Sequence, residues 1–397
     1  MADPIKKITL KSGKVRYRFV VDIGSGGKRR QLTVTKDTKK EAVAEYGRIQ
    51  HQKSTGTYIA PSGMTVGELV DLWLKATLPG VELATQRSYI NAVAYVKTRL
   101  GDVRVQQLTE DHVDELVAWM LKSARRRGGA AGTGVSVTTV GHTLGRLRSV
   151  LTLGVRRGLV VRNVAEHTTI PREARNAARA AQQIEPWTQA EVRQFLAHAS
   201  THRLYAVMML SLIAERPAEV CGARWKEDVS FSGEGTIAIG NTRTLVYDDT
   251  REKGQRTAVE EKETKTAAGT RTLPLPAPLY KALKSFRTLQ LREKLAAGDA
   301  YEDSGYVAVD KLGRPLQTDK LRREAYALMD AAGVRRIKLY WARHTTLTWM
   351  ANSGGVPDTV VSAWAGHSDL SFTKRRYVHR DPDSLKAGSE KLATFLG

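Results

Sequence analysis

The chain has 397 residues, 63 Lys plus Arg against 41 Asp plus Glu, a formal charge of +22 and a single cysteine, Cys221. That length asks for two or three separate cores, the charge attracts polyanions and makes nucleic acid the leading partner, and one cysteine excludes an intrachain disulfide or a cysteine-built zinc cluster and suits a reducing compartment. The start, MADPIKKITL, lacks the apolar core of a signal peptide, and the longest apolar run, LYAVMMLSLIA at 204–214, is shorter than the roughly 20 residues that cross a bilayer, so it reads as a buried core helix.

Residues 1–58 read as strand, turn, strand and helix. In KVRYRFVV, Lys14, Arg16 and Arg18 alternate with Val15, Tyr17 and Phe19, which gives the strand one basic and one apolar face. Gly24 to Gly27 supply a turn, RRQLTVT a second strand, and Thr38 with Glu41 a capping-box pattern that opens a helix carrying Ala42, Tyr46 and Ile49. The three strand cations, with Lys28, Arg29 and Arg30 beside them, suit a nucleic-acid groove; solubility alone also places cations on strand faces.

From 63 to 170 the pattern is helical. A capping box at Thr65 and Glu68 precedes Leu69, Val70, Trp73 and Leu74; a second helix spans about 83–100 with Tyr89, Ile90, Val93 and Val96 inward; a third covers 109–124; and a fourth carries Val140, Leu144, Leu147, Leu151 and Val155. These four make one bundle. Between the last two lies SARRRGGAAGTG, whose glycines favour a mobile loop and whose Arg125, Arg126 and Arg127 suit a phosphate backbone. PREARNAARAAQQIEP at 171–186 lacks clear periodicity and reads as a linker, residues 187–382 form a third region, and 383–397 a tail with Leu385, Leu392, Phe395 and Leu396 at roughly helical intervals. The expected fold is therefore α+β, multidomain and mainly α: a small N-terminal β-sheet plus helix, a four-helix bundle, and a mixed, mainly α domain with a small sheet or hairpin.

Four stretches of the third region carry candidate chemistry. In IAERPAEVCGARW, Pro217 pushes Arg216 to an extended conformation at a helix-to-helix corner, where Glu219 can hold it; a plain surface pair is the simpler alternative. In ETKTAAGTRTLPLP, two β-prone runs flank AAG with Gly269 in the turn, so a hairpin is expected with Lys265 near its tip, as a ligand-reaching lysine or a solubilising edge charge. In RRIKLYWARHTTLTWMANSGG, Tyr340 and Arg343 share one side of a helix with Leu347 and Met350; burying part of that arginine beside Trp341 and Trp349 is costly unless an anion faces it, although an arginine stacked on aromatics would serve too. In VPDTVVSAWAGHSDLSFTKRRYVH, a helix with Val360, Val361 and Trp364 inward stops at Gly366, leaving His367 past its end and Tyr377 on the next helix.

Alone, each stretch is weak; together they supply two arginines, a lysine, a histidine and a tyrosine. A phosphodiester under attack gathers charge on its non-bridging oxygens, which two guanidiniums answer bidentately, and losing one such donor costs about 3 kcal/mol. Lysine can protonate the departing oxygen, histidine can bond the phosphate or manage the nucleophile's proton, and tyrosine can be the covalent nucleophile, so no metal and no cofactor is called for.

Arg216, Lys265, Tyr340, Arg343, His367 and Tyr377 in this order resemble the tyrosine recombinase, or phage integrase, family. So do RPAE from Arg216 with Trp225 nine residues after it, KTAAGTRTLPLP from Lys265, GYV at 305 followed by LGRP at 312, ARHT at 342, and AGHS at 365 with a tyrosine ten residues after its histidine. The resemblance implies an arm-type DNA-binding domain in 1–58, a core-binding domain in 63–170 that clamps DNA together with the catalytic domain in 187–382, and a tail in 383–397 that docks on a neighbouring protomer. It further implies a homotetramer on double-stranded DNA with core-type and arm-type sites, 3′-phosphotyrosyl links and a Holliday junction, integration and excision of a phage or other mobile element with DNA-bending and excision factors as partners, and a place in the bacterial host cytoplasm rather than a membrane. Two positions depart from the family pattern: Tyr340 stands where histidine is usual, and Ala214 where glycine is usual two residues before Arg216. Tyr340 is a rival nucleophile, and Tyr377 is preferred because the family nucleophile follows the GH box. A type IB topoisomerase and a non-catalytic DNA-binding regulator are the competing readings.

Overall fold

The computed structural model describes residues 3–22, 31–125, 130, 132–181, 185–247, 252, 257–263, 270–367 and 369–377, and of Phe372, Arg375, Arg376 and Tyr377 the backbone alone. Contacts divide the chain into two compact units, Met1–Gln182 and Gln183–Gly397. Both are mainly helical with small antiparallel sheets.

The first unit opens with β1 (Lys6–Thr9), β2 (Val15–Asp22) and β3 (Gln31–Lys36), paired in that order, and α1 (Lys39–Ser54). The expected two strands are three: β1 is a four-residue edge strand with little apolar pattern, seated by the open edge of β2 at the register Ile8 opposite Arg16. Alternation along β2 turns Phe19 and Val21 inward, where they are buried with Ala42 and Ile49 of α1. Each such side chain contributes roughly 2 kcal/mol by leaving water. The Thr38–Glu41 capping box forms at the start of α1.

Helices α2 (Val66–Thr77), α3 (Leu83–Leu100), α4 (Glu110–Lys122) and α5 (Val137–Arg156) form the bundle. The Thr65–Glu68 box caps α2, and Leu69, Trp73, Val93, Val96, Leu116, Met120, Val140, Leu144, Leu147 and Leu151 fill a common core. The aperiodic stretch read as a linker contains a helix, α6 (Arg172–Ala181). Five alanines among its ten residues favour a helix, and Ala174, Ala177, Ala178 and Ala181 recur at helical spacing opposite the arginines, although none of its residues is buried.

In the second unit α7 (Gln189–Ala199) and α8 (Tyr205–Leu212) precede α9 (Pro217–Gly222). Strands β4 (Val229–Ser230), β5 (Thr236–Ile239) and β8 (Arg271–Pro274) form one sheet, and β6 (Asn241–Tyr247) with β7 (Thr257–Glu263) a separate ribbon. The hairpin expected around AAG is thus not what these strands make: β7 pairs with β6, and β8 pairs with β5 at Ile237 opposite Leu273. The apolar alternation of β5 selects β8 because both present buried residues to the core. Helices α10 (Ala277–Ala297), α11 (Thr318–Ala331), α12 (Leu339–Asn352), α13 (Asp358–Ala365) and α14 (Leu370–Tyr377) complete the unit. The mainly apolar α8 is buried at its centre, with Leu279, Leu283 and Phe286 of α10 and Leu328 and Met329 of α11 in the same core. No helix among the described residues is long and apolar enough to cross a membrane.

Candidate active site

The site begins where α8 ends. Ala214 turns the chain through a left-handed backbone (φ +74°), and Arg216 follows in an extended conformation (φ −74°, ψ 148°) as the residue that caps α9, with Pro217 in the first turn. Proline forbids continuation of α8 and prefers the first helical turn, so the corner read from the sequence forms. Glu219, one turn on, accepts from the Arg216 main-chain N–H at 2.8 Å and from its Nη1 at 2.5 Å. About a third of the Arg216 side chain stays exposed (32%), while Glu219 is shut away at 1%.

Arg343 sits in the first half of α12 with no exposed surface. Its Nη1 donates to the carbonyl of Ala214 and its Nη2 to that of Ala365, the last residue of α13. The same Nη2 lies 3.2 Å from His367 Nε2. Trp341 lies beneath the Lys338 ammonium, Trp349 is 46% exposed, and backbone carbonyls take up both terminal nitrogens of the Arg343 guanidinium. Gly366, left-handed at φ 65°, stops α13. His367 follows, its Nδ1 2.8 Å from the Thr373 hydroxyl, which in turn donates to Ser362 at 3.2 Å. With Arg343 donating to Nε2, the ring is the tautomer that carries its proton on Nδ1.

Electrostatics single out this cluster. Burial, then the positive charges of Arg343, Arg216 and Arg271, push His367 down to about 4, so the imidazole is neutral at pH 7. Burial works to raise the Glu219 carboxyl, but Arg271 and Arg216 outweigh it and leave Glu219 ionised below the ordinary range. Glu215, fully buried beside Glu219, is driven well above the ordinary carboxyl range by burial and by that neighbour. Arg271 is the residue the sequence reading passed over. It lies on β8, donates Nη1 and Nη2 to Glu219 at 3.3 and 3.1 Å, and donates Nε to the carbonyl of Trp364 at 2.7 Å. Alternation along TRTLP, which puts Arg271 on the same inward strand face as buried Leu273, was the signal available.

Of the predicted site residues, Arg216, Arg343 and His367 converge. Tyr340 lies on the first turn of α12, one turn before Arg343; it is 41% exposed and meets His344 edge-on at 5.2 Å. Tyr377 is placed by its backbone at the last turn of α14, the helix that brings Thr373 to His367. Lys265, with the Gly269 turn, and the tail at 383–397 lie outside the described residues. Val360, expected inward, is 46% exposed while Val361 is buried; α13 is only two turns long, and a single stripe of it meets the core. In the first unit, Lys14 and Arg16 share Asp37 at 3.4 and 3.0 Å, Arg18 is exposed, and Arg125 is half-buried with its Nε donating to Gly134 at 2.9 Å. Arg29, Arg126 and Arg127 lie outside the described residues.

Residues 186–383, which contain this whole cluster, match the model of the phage integrase family. The chain belongs to the phage integrase family. Relatives of this integrase-family chain match along nearly its full length: a "tyrosine recombinase XerC-like" protein of Caldanaerobacter subterraneus is 26% identical over 96% of this chain and 97% of its own. An integrase of Streptomyces ambofaciens is 27% identical over 94% and 92%. Among solved structures, the Tn1549 transposon integrase in complex with transposon right end DNA shares the fold at a TM-score of 0.63 and 18% identity, covering 83% of this chain and 100% of that one. A lambda integrase tetramer bound to a Holliday junction shares it at 0.54 and 12% identity, over 96% and 97%.

Proposed function

We propose that the chain is a site-specific DNA recombinase that cleaves and rejoins double-stranded DNA, with Tyr377 as the nucleophile and no metal in the reaction, and that it integrates and excises a mobile element. The observation that carries this reading is the convergence of Arg216, Arg343 and neutral His367 in one largely buried cationic cluster, with α14 leading from it to Tyr377.

In this reading the tyrosine oxygen bonds to phosphorus, the bond to the 5′ oxygen breaks, and a 3′-phosphotyrosyl link and a free 5′ hydroxyl result. Arg216 binds the non-bridging oxygens as charge builds, and Arg343 turns its Nη2 from His367 Nε2 to the same oxygens, which frees Nε2. The anion also offsets the arginines around His367, so its pKa rises when DNA is bound and Nε2 becomes a better acceptor for the phenolic proton. Lys265 protonates the departing oxygen. Tyr340 donates a hydrogen bond to the phosphate but, unlike the usual histidine, is a poor proton acceptor. Residues 1–58 and 63–170 bind arm-type and core-type sites, and four protomers act on two duplexes through a Holliday junction.

The test is a nicked suicide duplex carrying a core site selected by binding from random sequences, followed by a denaturing gel. Wild type forms a covalent complex and Tyr377→Phe does not. No complex with wild type, or one that persists in Tyr377→Phe, overturns the assignment; relaxation of plasmids without site-specific joining would favour a topoisomerase.

A further inference from the structure

Two arginines share one carboxylate beneath the site. Glu219 holds Arg216 through Nη1 at 2.5 Å and Arg271 through Nη1 and Nη2 at 3.3 and 3.1 Å. The two differ in what else they reach: the Arg216 side chain is 32% exposed and the Arg271 side chain 7%. Arg216 therefore opens toward a ligand, whereas Arg271 is spent on the protein, its Nε on the carbonyl of Trp364 at 2.7 Å. The pairing of Arg271 opposite Ile239 fixes it on the sheet.

Charge gives this arrangement a consequence. Arg216 and ionised Glu219 alone form a neutral pair, poor at binding an anion, and in a buried setting such a pair attracts little further charge. With Arg271 added, the cluster has one net positive charge, and only Arg216 can present it outward. We propose that Arg271 is a positioning residue for DNA cleavage: it neutralises Glu219, so that the charge of Arg216 stays available to the scissile phosphate, and ties the end of α13, next to His367, to β8. This rests on the phosphodiester-binding reading above. Arg271 is also among the charges that depress His367, so its field reaches the imidazole.

The test uses the full chain with Arg271→Gln, Arg271→Lys and the double variant Arg271→Gln/Glu219→Gln, read by single-turnover covalent-complex formation on the nicked duplex and by NMR titration of His367 with and without inorganic phosphate. Arg271→Gln slows cleavage on the order of 10²-fold, raises the His367 midpoint and weakens phosphate binding. The double variant, which restores the net charge, regains about tenfold, as expected for coupled groups in contact. Cleavage by Arg271→Gln at the wild-type rate, or a double variant no faster than Arg271→Gln, overturns the proposal. If Arg271→Gln does not fold, Arg271→Lys decides: it keeps the charge, so cleavage within about tenfold of wild type supports the proposal and a larger loss overturns it. If wild type forms no covalent complex, the cleavage reading fails by itself, and the NMR arm judges Arg271 separately: an unchanged His367 midpoint with unchanged phosphate binding overturns its role.

Discussion

Ala214 is the only residue other than glycine with a positive φ among those described, and its carbonyl receives the Arg343 guanidinium. A side chain in this region costs roughly 1–2 kcal/mol. Glycine would relieve that, while losing a buried methyl worth about 0.8 kcal/mol and loosening the unfolded chain by about 0.4–1 kcal/mol. The opposing contributions nearly cancel, so Ala214→Gly lies within about 1 kcal/mol of wild type, whereas Ala214→Val, β-branched in a left-handed turn, falls more than about 2 kcal/mol below it. Urea midpoints decide, and a valine variant as stable as wild type would contradict the strained turn. Next to it, Glu215 is buried and neither carboxyl oxygen has a hydrogen-bond partner. Its folded pKa lies above the ordinary 4.5, so the folded chain keeps a proton that the unfolded chain releases. The associated stability is complete below about pH 4.5 and drains away as pH climbs toward the folded value. Glu215→Gln does not titrate, so it is more stable than wild type at pH 8 and loses that advantage at pH 4; a variant weaker than wild type at pH 8 would show that the charged carboxylate is stabilised after all. At Ala214 the departure from the usual glycine marked the turn in the sequence but not its dihedral, and the role of Glu215 was not readable at all, because a missing partner exists only in three dimensions.

At the scale of elements, α9 carries Arg216 at its start and Gly222 at its end, where it runs against β6. A Cβ at Gly222 would lie 2.9 Å from the Asn241 carbonyl oxygen, 3.0 Å from the Thr242 Cα and 3.1 Å from the Arg243 nitrogen. These are backbone atoms that cannot swing aside. Gly222→Ala is expected to destabilise the chain by roughly 1–3 kcal/mol and to slow covalent-complex formation by shifting α9; thermal unfolding and the suicide duplex measure the two effects, and an unperturbed variant would mean that the ribbon yields freely. Helix positions were legible because 3.6-residue periodicity and the Thr65 and Thr38 caps are local signals. Strand partners were not: the choice between β7 and β5 for β8 depends on which face the core buries.

At the scale of the molecule, the charge of +22 makes DNA binding steeply salt-dependent, with a slope that falls by about 0.9 for every phosphate the protein ceases to neutralise. In the N-terminal sheet, Lys14 and Arg16 are partly countered by Asp37, whereas Arg18 is exposed. If this face binds DNA, Arg18→Ala lowers the slope of log affinity against log salt by about 1, and Asp37→Asn strengthens binding. Fluorescence anisotropy across a salt series measures both; slopes identical to wild type would place DNA elsewhere.

The order of chemical groups along the chain, the helical bundle and the resemblance to tyrosine recombinases were written in the sequence, because residue type, spacing and periodicity are properties of the chain itself. The tertiary structure decided which groups meet: that Arg343 is caged by the carbonyls of Ala214 and Ala365, that His367 is neutral, and that Arg271 stands behind Glu219. Charge and burial act through space, between residues as far apart in the chain as Ala214 and Arg343, and no local pattern encodes that distance.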